Sequence, residues 1–218
     1  MTAVFCYLRA MPRSPGWCGV ILAAGESSRM GTDKAMLRWP PGAVSNQTFL
    51  SAAVRSLLLF NDLVIVVAGR NESTIESEVY ATNASMVRNP EPERGQFSSL
   101  QVGLQAVLNR GRAAAMITHV DRPPAERATL AVLRDAFVAS PDEKWAVVPE
   151  FRGKHGHPIL VSRDMIEVFL KAPATAVARE IEHQHQHHIE YFPVDDPRVT
   201  LNVNTPEEYA ALVSAYGR

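Results

Sequence analysis

The chain has 218 residues, of which 46% are hydrophobic and 21% are charged, and its formal net charge is −1. This balance excludes a global basic field for nucleic acid or for an anionic membrane, so any phosphate site has to be local. The length and hydrophobic content are typical of one domain with one core.

The N-terminal region and the cysteines bear on location. The chain contains no apolar run near the ~18 residues of a membrane span, and its start lacks the apolar stretch of a signal peptide. We expect residues 1–16 to form a flexible N-terminal extension and residues 17–218 a single domain, with neither a membrane nor a nucleic-acid partner. Cys6 and Cys18 are the only cysteines, which favours reduced thiols and a cytoplasmic location.

Apolar runs and helical stripes alternate along the chain. Strands are predicted over residues 20–22, 62–68, 86–87, 114–118, 145–148, 157–161 and 198–203, and helices over residues 49–60, 71–80, 98–108 and 127–138, with a last helix beginning at Pro206. Several of the strands are continuous runs of branched residues, as in sheets that are covered on both faces. The pattern predicts an α/β, three-layer Rossmann-like fold with a mainly parallel sheet.

The first predicted strand runs directly into a loop of small and polar residues. Gly25 and Gly31 are able to turn backbone N–H groups toward one centre, and Arg29 and Lys34 add two cations. This composition suits a polyphosphate. The alternative is an ordinary strand-to-helix turn with solvated cations. Neither the P-loop pattern nor the dinucleotide pattern of glycines occurs here.

Two further polar clusters also follow predicted strands. Asp121 comes after an apolar strand and precedes two prolines, and Asn204 lies in the sequence Asn-Val-Asn-Thr-Pro. Ligands of open α/β sheets bind beyond the carboxyl ends of the strands, where a carboxylate and an amide oxygen suit Mg²⁺. The alternatives are a capping Asp and a plain helix start, with Thr205 as N-cap and Pro206 at the first helical position.

Five ordered motifs resemble the MobA-like nucleotidyltransferases, which attach CMP or GMP to molybdopterin. They are Leu-Ala-Ala-Gly-x-Ser-x-Arg-Met-Gly-x-x-Lys (22–34), Asn-Pro with Gly-Gln-Phe-Ser-Ser-Leu-Gln-Val-Gly-Leu (89–90 and 95–104), Val-Asp-Arg-Pro (120–123), Gly-Lys-His-Gly-His-Pro (153–158) and Asn-Val-Asn-Thr-Pro-Glu-Glu-Tyr (202–209). The resemblance covers residues 18–215. It implies nucleotidyl transfer from a nucleoside triphosphate to a phosphorylated pterin-type acceptor, with release of pyrophosphate.

The resemblance also implies roles for individual residues. Arg29, Lys34 and Asp121 are the expected catalytic residues, and Asp121 and Asn204 are the expected ligands of Mg²⁺, with Mn²⁺ as an alternative. The expected nucleotide-binding residues are Leu22, Ala23, Ala24, Gly25, Ser27, Gly31, Ser98 and Ser99. Lys154 and His157 are expected to bind the acceptor, although a plain hairpin is an alternative for their segment.

The motifs do not agree on which nucleotide base the protein uses. Ala24 matches the cytidylyl branch, whereas Asn204 is more typical of the guanylyl branch, and CTP is favoured overall. Other interpretations are a sugar-phosphate nucleotidyltransferase and a non-catalytic chaperone that binds a nucleotide or the molybdenum cofactor. A molybdoenzyme is a further candidate partner.

Four histidines cluster between residues 183 and 188, namely His183, His185, His187 and His188. Such a tract is either a metal site, since residues 183 and 187 would share one face of a helix, or a solvated helix end. The solvated helix end is the favoured interpretation.

Overall fold

The computed structural model describes residues 16–41, 46–173 and 175–217. The predicted N-terminal extension lies outside these residues, apart from Gly16. None of the described helices is long and apolar enough to cross a membrane.

The described strands form one mixed sheet in the order β3-β2-β1-β4-β7-β5-β6, with β8 paired to β5. Their bounds are Trp17–Leu22 (β1), Leu63–Ala68 (β2), Ser85–Arg88 (β3), Ala114–His119 (β4), Ala146–Phe151 (β5), Lys154–His155 (β6), Ile159–Ser162 (β7) and Ile189–Pro193 (β8). Strands β3, β2, β1 and β4 run parallel to one another, as do β5 and β8, whereas β7 is antiparallel to both β4 and β5, and β6 is antiparallel to β5. The prediction of a mainly parallel sheet is confirmed.

Helices connect these strands and cover both faces of the sheet. The helices are Phe49–Leu58 (α1), Glu72–Ala81 (α2), Gln96–Asn109 (α3), Arg127–Ala139 (α4), Arg163–Lys171 (α5), Ala178–Gln184 (α6) and Pro206–Tyr216 (α7). Short 3₁₀ helices cover Lys34–Met36, Pro92–Arg94, Gln186–His188 and Pro197–Thr200.

The alternation of side chains along β1 produces two cores. Ile21 faces the apolar residues of α1, α2 and α4. Val20 and Leu22 face those of α3, α5 and α6. The fully buried Phe137 and Phe169 are among the largest side chains of these two cores, and burying such a side chain stabilises the fold by about 1.5–3 kcal/mol. The result is a three-layer α/β fold, as expected from the sequence.

The strand predicted over residues 198–203 is wrong. Residues 197–200 form a 3₁₀ helix that begins at Pro197, where Asp196 caps the helix by accepting a hydrogen bond from the Arg198 N–H. The next residues are irregular, because loop groups rather than a neighbouring strand bond their backbone. Strand β8 and helix α5 were not recognised in the sequence. β8 has an alternating exposure pattern and ends at a proline, which weakens its signal.

Candidate active site

Two cavities meet at the carboxyl ends of β1 and β4, whose last residues, Leu22 and His119, are paired in register. The small cavity has a volume of about 520 Å³ and lies over the first loop. The large cavity has a volume of about 820 Å³ and extends toward β5, β6 and α6. Leu22, Gly95, Gln96 and His119 line both cavities. A group bound in one cavity therefore reaches a group bound in the other at this junction.

Lys34 lies at the centre of the charged wall. Its Nζ donates hydrogen bonds to Asn204 Oδ1 at 2.9 Å and to Asp121 Oδ2 at 3.3 Å. The side chains of Lys34 and Asp121 are only 13% and 25% exposed. Asp33 caps the 3₁₀ helix that carries Lys34. The structure thus brings together three predicted site residues that lie far apart in the chain.

Asn204 reaches this centre because loop contacts hold its segment against the Asp121 loop. The Val203 N–H donates to the Asp121 carbonyl at 2.8 Å, and Arg122 Nη1 donates to the Leu201 carbonyl at 3.3 Å. Val203 is buried, whereas Asn202 is exposed. These contacts, and not the predicted strand, direct Asn204 toward Lys34, and they assign Arg122 a positioning role that the sequence did not reveal.

Helix α7 begins directly after Asn204. Thr205 accepts a hydrogen bond from the Glu208 N–H, and Pro206 occupies the first turn. The helix-start interpretation of this segment is therefore confirmed. It coexists with the site, because the residue before the N-cap is free to turn its side chain toward Lys34.

The first loop is shaped by contacts with the end of β2. Gly69 approaches Ala24 so closely that a Cβ at position 69 would lie 2.7 Å from the Ala24 carbonyl oxygen. Asn71 Nδ2 donates to the Ala23 carbonyl at 2.9 Å and to Asp33 Oδ2 at 2.6 Å. Asn71 is thus a positioning residue that the sequence analysis missed, because its only local signal was a polar residue at a helix start.

Both backbone groups of Ala23 form hydrogen bonds within the protein. Its N–H donates to the Val67 carbonyl and its carbonyl accepts from Asn71, so both groups are engaged within the protein. The carbonyl oxygen keeps a second lone pair, so the expectation that Ala23 presents its backbone to a nucleotide stays a prediction. Ala24 and Gly25 line the small cavity and keep that expected role.

Ser27, Arg29 and Gly31 complete the loop. Ser27 has a φ of 52°, and its hydroxyl accepts from the Lys34 N–H at 3.1 Å, so it both lines the small cavity and orients Lys34. Gly31 has a φ of 68°, in the region that favours glycine. Arg29 and Gly31 are exposed and do not line either cavity. Their assigned roles stay predictions.

Ser98 and Ser99 are buried in the first turn of α3. Both hydroxyls accept hydrogen bonds from Asn89 Nδ2, at 2.8 and 2.9 Å. Ser98 also donates to the Gly95 carbonyl at 2.7 Å. Ser99 lines the small cavity, whereas Ser98 does not line either cavity. Ser98 therefore anchors the Gly95 loop at the junction, and direct contact with a nucleotide is more readily available to Ser99.

Lys154 and His157 line the large cavity together with Arg94, Arg122 and Arg179. Lys154 belongs to a β5–β6 hairpin, so the hairpin interpretation of its segment is correct and is compatible with a binding role. Four of these five side chains are cations at neutral pH. The large cavity is therefore suited to an anionic ligand.

Two histidines meet under the junction. The rings of His119 and His157 are 4.5 Å apart and nearly perpendicular, and Gln96 Nε2 is hydrogen-bonded to His119 Nδ1. Burial lowers the pKa of His119 to about 4, against the raising effect of Asp121. Burial also lowers the pKa of His157 well below its usual value. The Arg122 charge, and His119 whenever it is protonated, lower this pKa further. Both rings are therefore neutral at neutral pH.

The oxygens at the centre fit a hard divalent cation. Asp121 offers a carboxylate and Asn204 an amide oxygen, and the Lys34 ammonium lies between them, which shows that the position favours a cation. Mg²⁺ binds through a few protein oxygens and completes its coordination with water and substrate phosphates. Within the described ranges, no group of three or more His, Cys, Asp or Glu side chains could hold a metal ion.

The histidine tract is divided between two elements. Helix α6 ends at Gln184, and a 3₁₀ helix covers Gln186–His188. Residues 183 and 187 therefore do not share the face of one helix, which was the geometric basis for a metal site there. The ring of His188 stacks on Trp145 at a centroid distance of 3.4 Å. This tract lies outside both cavities.

A mainly parallel sheet with a small-residue loop after its first strand, and with Lys34, Asp121 and Asn204 converging beyond the strand ends, defines a nucleotidyltransferase. Comparison with known sequences supports this class. The chain matches the MobA-like NTP transferase domain over residues 19–189. It belongs to that family, as its motifs predicted.

The names of individual relatives are consistent with this family. The chain is 27% identical over 198 residues to the molybdenum cofactor cytidylyltransferase of Escherichia coli K12, covering 90% of this chain and 95% of that protein. It is 33% identical over 138 residues to a protein of Rhodopirellula baltica named probable molybdenum cofactor guanylyltransferase, covering 62% and 64%.

Among solved structures, Rv0371c of Mycobacterium tuberculosis H37Rv superposes with a TM-score of 0.74 at 25% identity, covering 92% of this chain and 99% of that chain. Rv0371c has also been solved as a complex with manganese, which superposes with a TM-score of 0.71 at 21% identity, covering 92% and 100%. The second structure supports the fold of this chain.

Proposed function

We propose that this nucleotidyltransferase moves a nucleoside monophosphate, with CTP as the favoured donor, to a phosphorylated pterin-type acceptor of molybdenum cofactor biosynthesis. The observation that carries the proposal is the convergence of Lys34, Asp121 and Asn204 beside the junction of two cavities. A single-substrate hydrolase would need only one such cavity. Two adjoining cavities with a shared cationic wall suit a donor and an acceptor that meet.

The reaction places few covalent demands on the protein. An oxygen of the acceptor phosphate attacks the α-phosphorus of the nucleotide, a new phosphoanhydride bond forms, and the bond from the α-phosphorus to the bridging oxygen of the β-phosphate breaks. The electron pair leaves with pyrophosphate. Catalysis then depends on alignment and on charge stabilisation. Lys34 supplies a preorganised cation at the small cavity, which is the type of group that stabilises developing charge.

The choice of metal follows from the oxygens that the site offers. Asp121 and Asn204 would hold Mg²⁺, with Mn²⁺ as an alternative, and the ion would supply positive charge that neutralises the phosphates of the nucleotide. Lys34, which now contacts both oxygens, would turn its ammonium group toward the phosphates. Its unbranched side chain allows this change without movement of the backbone.

The first loop lines the space that we propose for the base. Ala24 and Gly25 are small residues on the wall of the small cavity, so a base and ribose approach the backbone closely at this position. Gly69 packs directly behind Ala24, which fixes the position of that wall. The E. coli relative named as a cytidylyltransferase aligns over 90% of this chain, which favours CTP. GTP is the second candidate, because Asn204 and the Rhodopirellula baltica relative favour it.

The other partners follow from the same function. The acceptor lies against the cationic wall that Lys154 and Arg179 share, and the product would pass to a molybdoenzyme. A cytoplasmic location is consistent with synthesis of such a cofactor. These statements extend the proposal beyond the site itself.

Pyrophosphate release tests the proposal. The purified protein is assayed with CTP, GTP, ATP and UTP, each with Mg²⁺ or Mn²⁺, and with or without molybdenum cofactor. We expect acceptor-dependent release with CTP. Acceptor-dependent release with GTP alone would reverse the choice of base. Absence of release with every nucleotide and acceptor, from a protein that binds nucleotide, would favour a non-catalytic binding role. Release with a sugar phosphate in place of the cofactor would change the acceptor class.

A further inference from the structure

The large cavity contains one carboxyl group among its described lining residues. Glu182 on α6 provides it, in a wall that otherwise carries Arg94, Arg122, Lys154 and Arg179. An acid in a cationic pocket opposes the binding of an anionic ligand unless it contacts a part of the ligand that is not anionic. The position of Glu182 therefore indicates an acceptor with two chemically different ends.

The side chain of Glu182 has no partner within the described part of the chain. It is half-buried, and none of the hydrogen bonds or ion pairs of that part uses its carboxyl group. Burial raises its pKa to about 7, and the charge of Arg179 only partly offsets this effect. Keeping such a group in a partly buried site costs stability. A glutamate that serves only the fold would be paired or fully solvated.

Glu182 lies on the side of the large cavity away from the nucleotide. It does not line the small cavity, but it lines a third cavity of about 650 Å³ that also contacts His155 and Tyr191. The rings of His155 and Tyr191 stack at a centroid distance of 3.9 Å. The large cavity therefore extends from Glu182 to the junction with the small cavity.

The wall between the two ends of the large cavity is apolar. Phe97, Leu100, Ile117, Val148 and Ile159 all line it. A flat ring system can lie against such a surface. The large cavity thus combines a cationic junction for a phosphate, an apolar wall for a ring, and one carboxyl group at the far end.

We propose that Glu182 binds the amino–amide edge of the pterin ring of the acceptor. That edge presents two parallel N–H donors, from the 2-amino group and the neighbouring ring nitrogen, which match the two oxygens of a carboxylate. The phosphate of the acceptor then points to the junction. That the acceptor carries a pterin ring rests on the proposed function. The ability of Glu182 to accept two parallel hydrogen bonds does not depend on that function.

Direct binding tests the assignment without nucleotide. The binding of 6-hydroxymethylpterin and of 6-hydroxymethyllumazine, which carries a carbonyl in place of the 2-amino group, is followed by fluorescence. The wild-type protein should bind the pterin at least tenfold more tightly, as expected from the loss of one charge-assisted hydrogen bond. Glu182→Gln should abolish most of this preference, because an amide offers one acceptor and one donor.

Glu180→Gln is the matched control. Glu180 lies on the same helix and is exposed, and it does not line the large cavity, so this variant should keep the wild-type preference. Equal binding of the two ligands to the wild-type protein, binding of neither, or an unchanged preference in a folded Glu182→Gln variant would each overturn the assignment. If that variant does not fold, Glu182→Asp, which keeps both carboxylate oxygens on a shorter side chain, takes its place and should weaken the binding of the pterin. Unchanged pterin binding by this second variant would overturn the assignment.

The two proposals fail separately. A pterin preference without pyrophosphate release would contradict the transferase function and leave the role of Glu182 in place. Acceptor-dependent pyrophosphate release by a protein that does not distinguish pterin from lumazine would contradict the role of Glu182 alone.

Discussion

Replacement of Lys34 by methionine provides the most direct test of the active site. Methionine keeps an unbranched side chain of similar length but removes the ammonium group, which contacts Asn204 at 2.9 Å and Asp121 at 3.3 Å. Loss of one preorganised group that stabilises charge typically lowers kcat by about 10²–10³, or about 2.7–4 kcal/mol of transition-state stabilisation. We expect a loss of this size.

The cost to folding should be smaller than the cost to catalysis. The Asp121 side chain remains 25% exposed, so water replaces part of the lost contact, and a partly exposed ion pair contributes about 1 kcal/mol or less. The variant should therefore unfold at a urea concentration close to that of the wild-type protein while its turnover nearly disappears. This separation between stability and rate distinguishes a catalytic lysine from a structural one.

Pyrophosphate release under saturating nucleotide and acceptor measures the effect. Lys171→Met is the matched control, because the Lys171 side chain is 79% exposed and pairs with Glu167 on the surface, so its kcat should stay within about twofold of the wild-type value. A Lys34→Met variant that keeps more than a tenth of the wild-type kcat would refute the assignment of Lys34 to the reaction.

Three further predictions concern buried or metal-binding oxygens. Asp196→Ala should lower the free energy of unfolding by about 1–3 kcal/mol in urea titration, because its buried carboxylate accepts hydrogen bonds from a backbone N–H and a hydroxyl at the start of α4. Asp195→Ala, at an exposed neighbour, should change this free energy little. The pKa of Glu182 is raised to about 7, so the native state keeps a proton that the unfolded chain loses, and stability should fall as pH rises from about 4.5 to 7. Glu182→Gln should remove this decline, and at pH 8 its free energy of unfolding should exceed that of the wild-type protein by about 1–3 kcal/mol. An identical pH dependence of stability in the two proteins would contradict the raised pKa of Glu182. Asn204→Ala should raise the Mg²⁺ concentration for half-maximal activity by about tenfold or more, whereas Asn202→Ala should not, and equal requirements in both variants would exclude Asn204 from the metal site.

The predicted effect of Glu182 on stability agrees with its proposed role in binding. A variant that is more stable than the wild-type protein and binds the acceptor less well would show that the carboxyl group serves function at the expense of the fold. Binding sites commonly contain residues of this kind.

The sheet and most helices could be predicted because their signals are local. A continuous branched run, as in residues 62–68, is typical of a strand covered on both faces, and the structure places a strand over Leu63–Ala68. The helical stripe that begins at Phe49 corresponds to α1, which starts at that residue. Such patterns can be read from the sequence because hydrophobic side chains mark the positions that will be buried.

The segment around residues 198–203 shows where local signals fail. Its apolar residues resemble a strand, but Val199 and Val203 are buried within a 3₁₀ helix and an irregular segment. The hydrogen-bond partners of this segment belong to Asp121, Arg122 and His157. Its conformation therefore depends on a loop more than 70 residues away along the chain, at Arg122, which no local pattern contains.

The sequence by itself predicted a phosphate and metal site from the small-residue loop and the strand-end Asp121, which are local patterns with a chemical meaning. The class of protein came from the resemblance of its five ordered motifs to the MobA-like family. Only the tertiary structure decided which of these groups meet. Lys34 contacts Asp121 and Asn204 across separations of 87 and 170 residues, whereas Arg29 and Ser98, which lie in the same motifs as Lys34 and Ser99, do not line either cavity. The physical reason is that motif spacing specifies backbone order, whereas sheet order and loop hydrogen bonds specify the direction in which each side chain points.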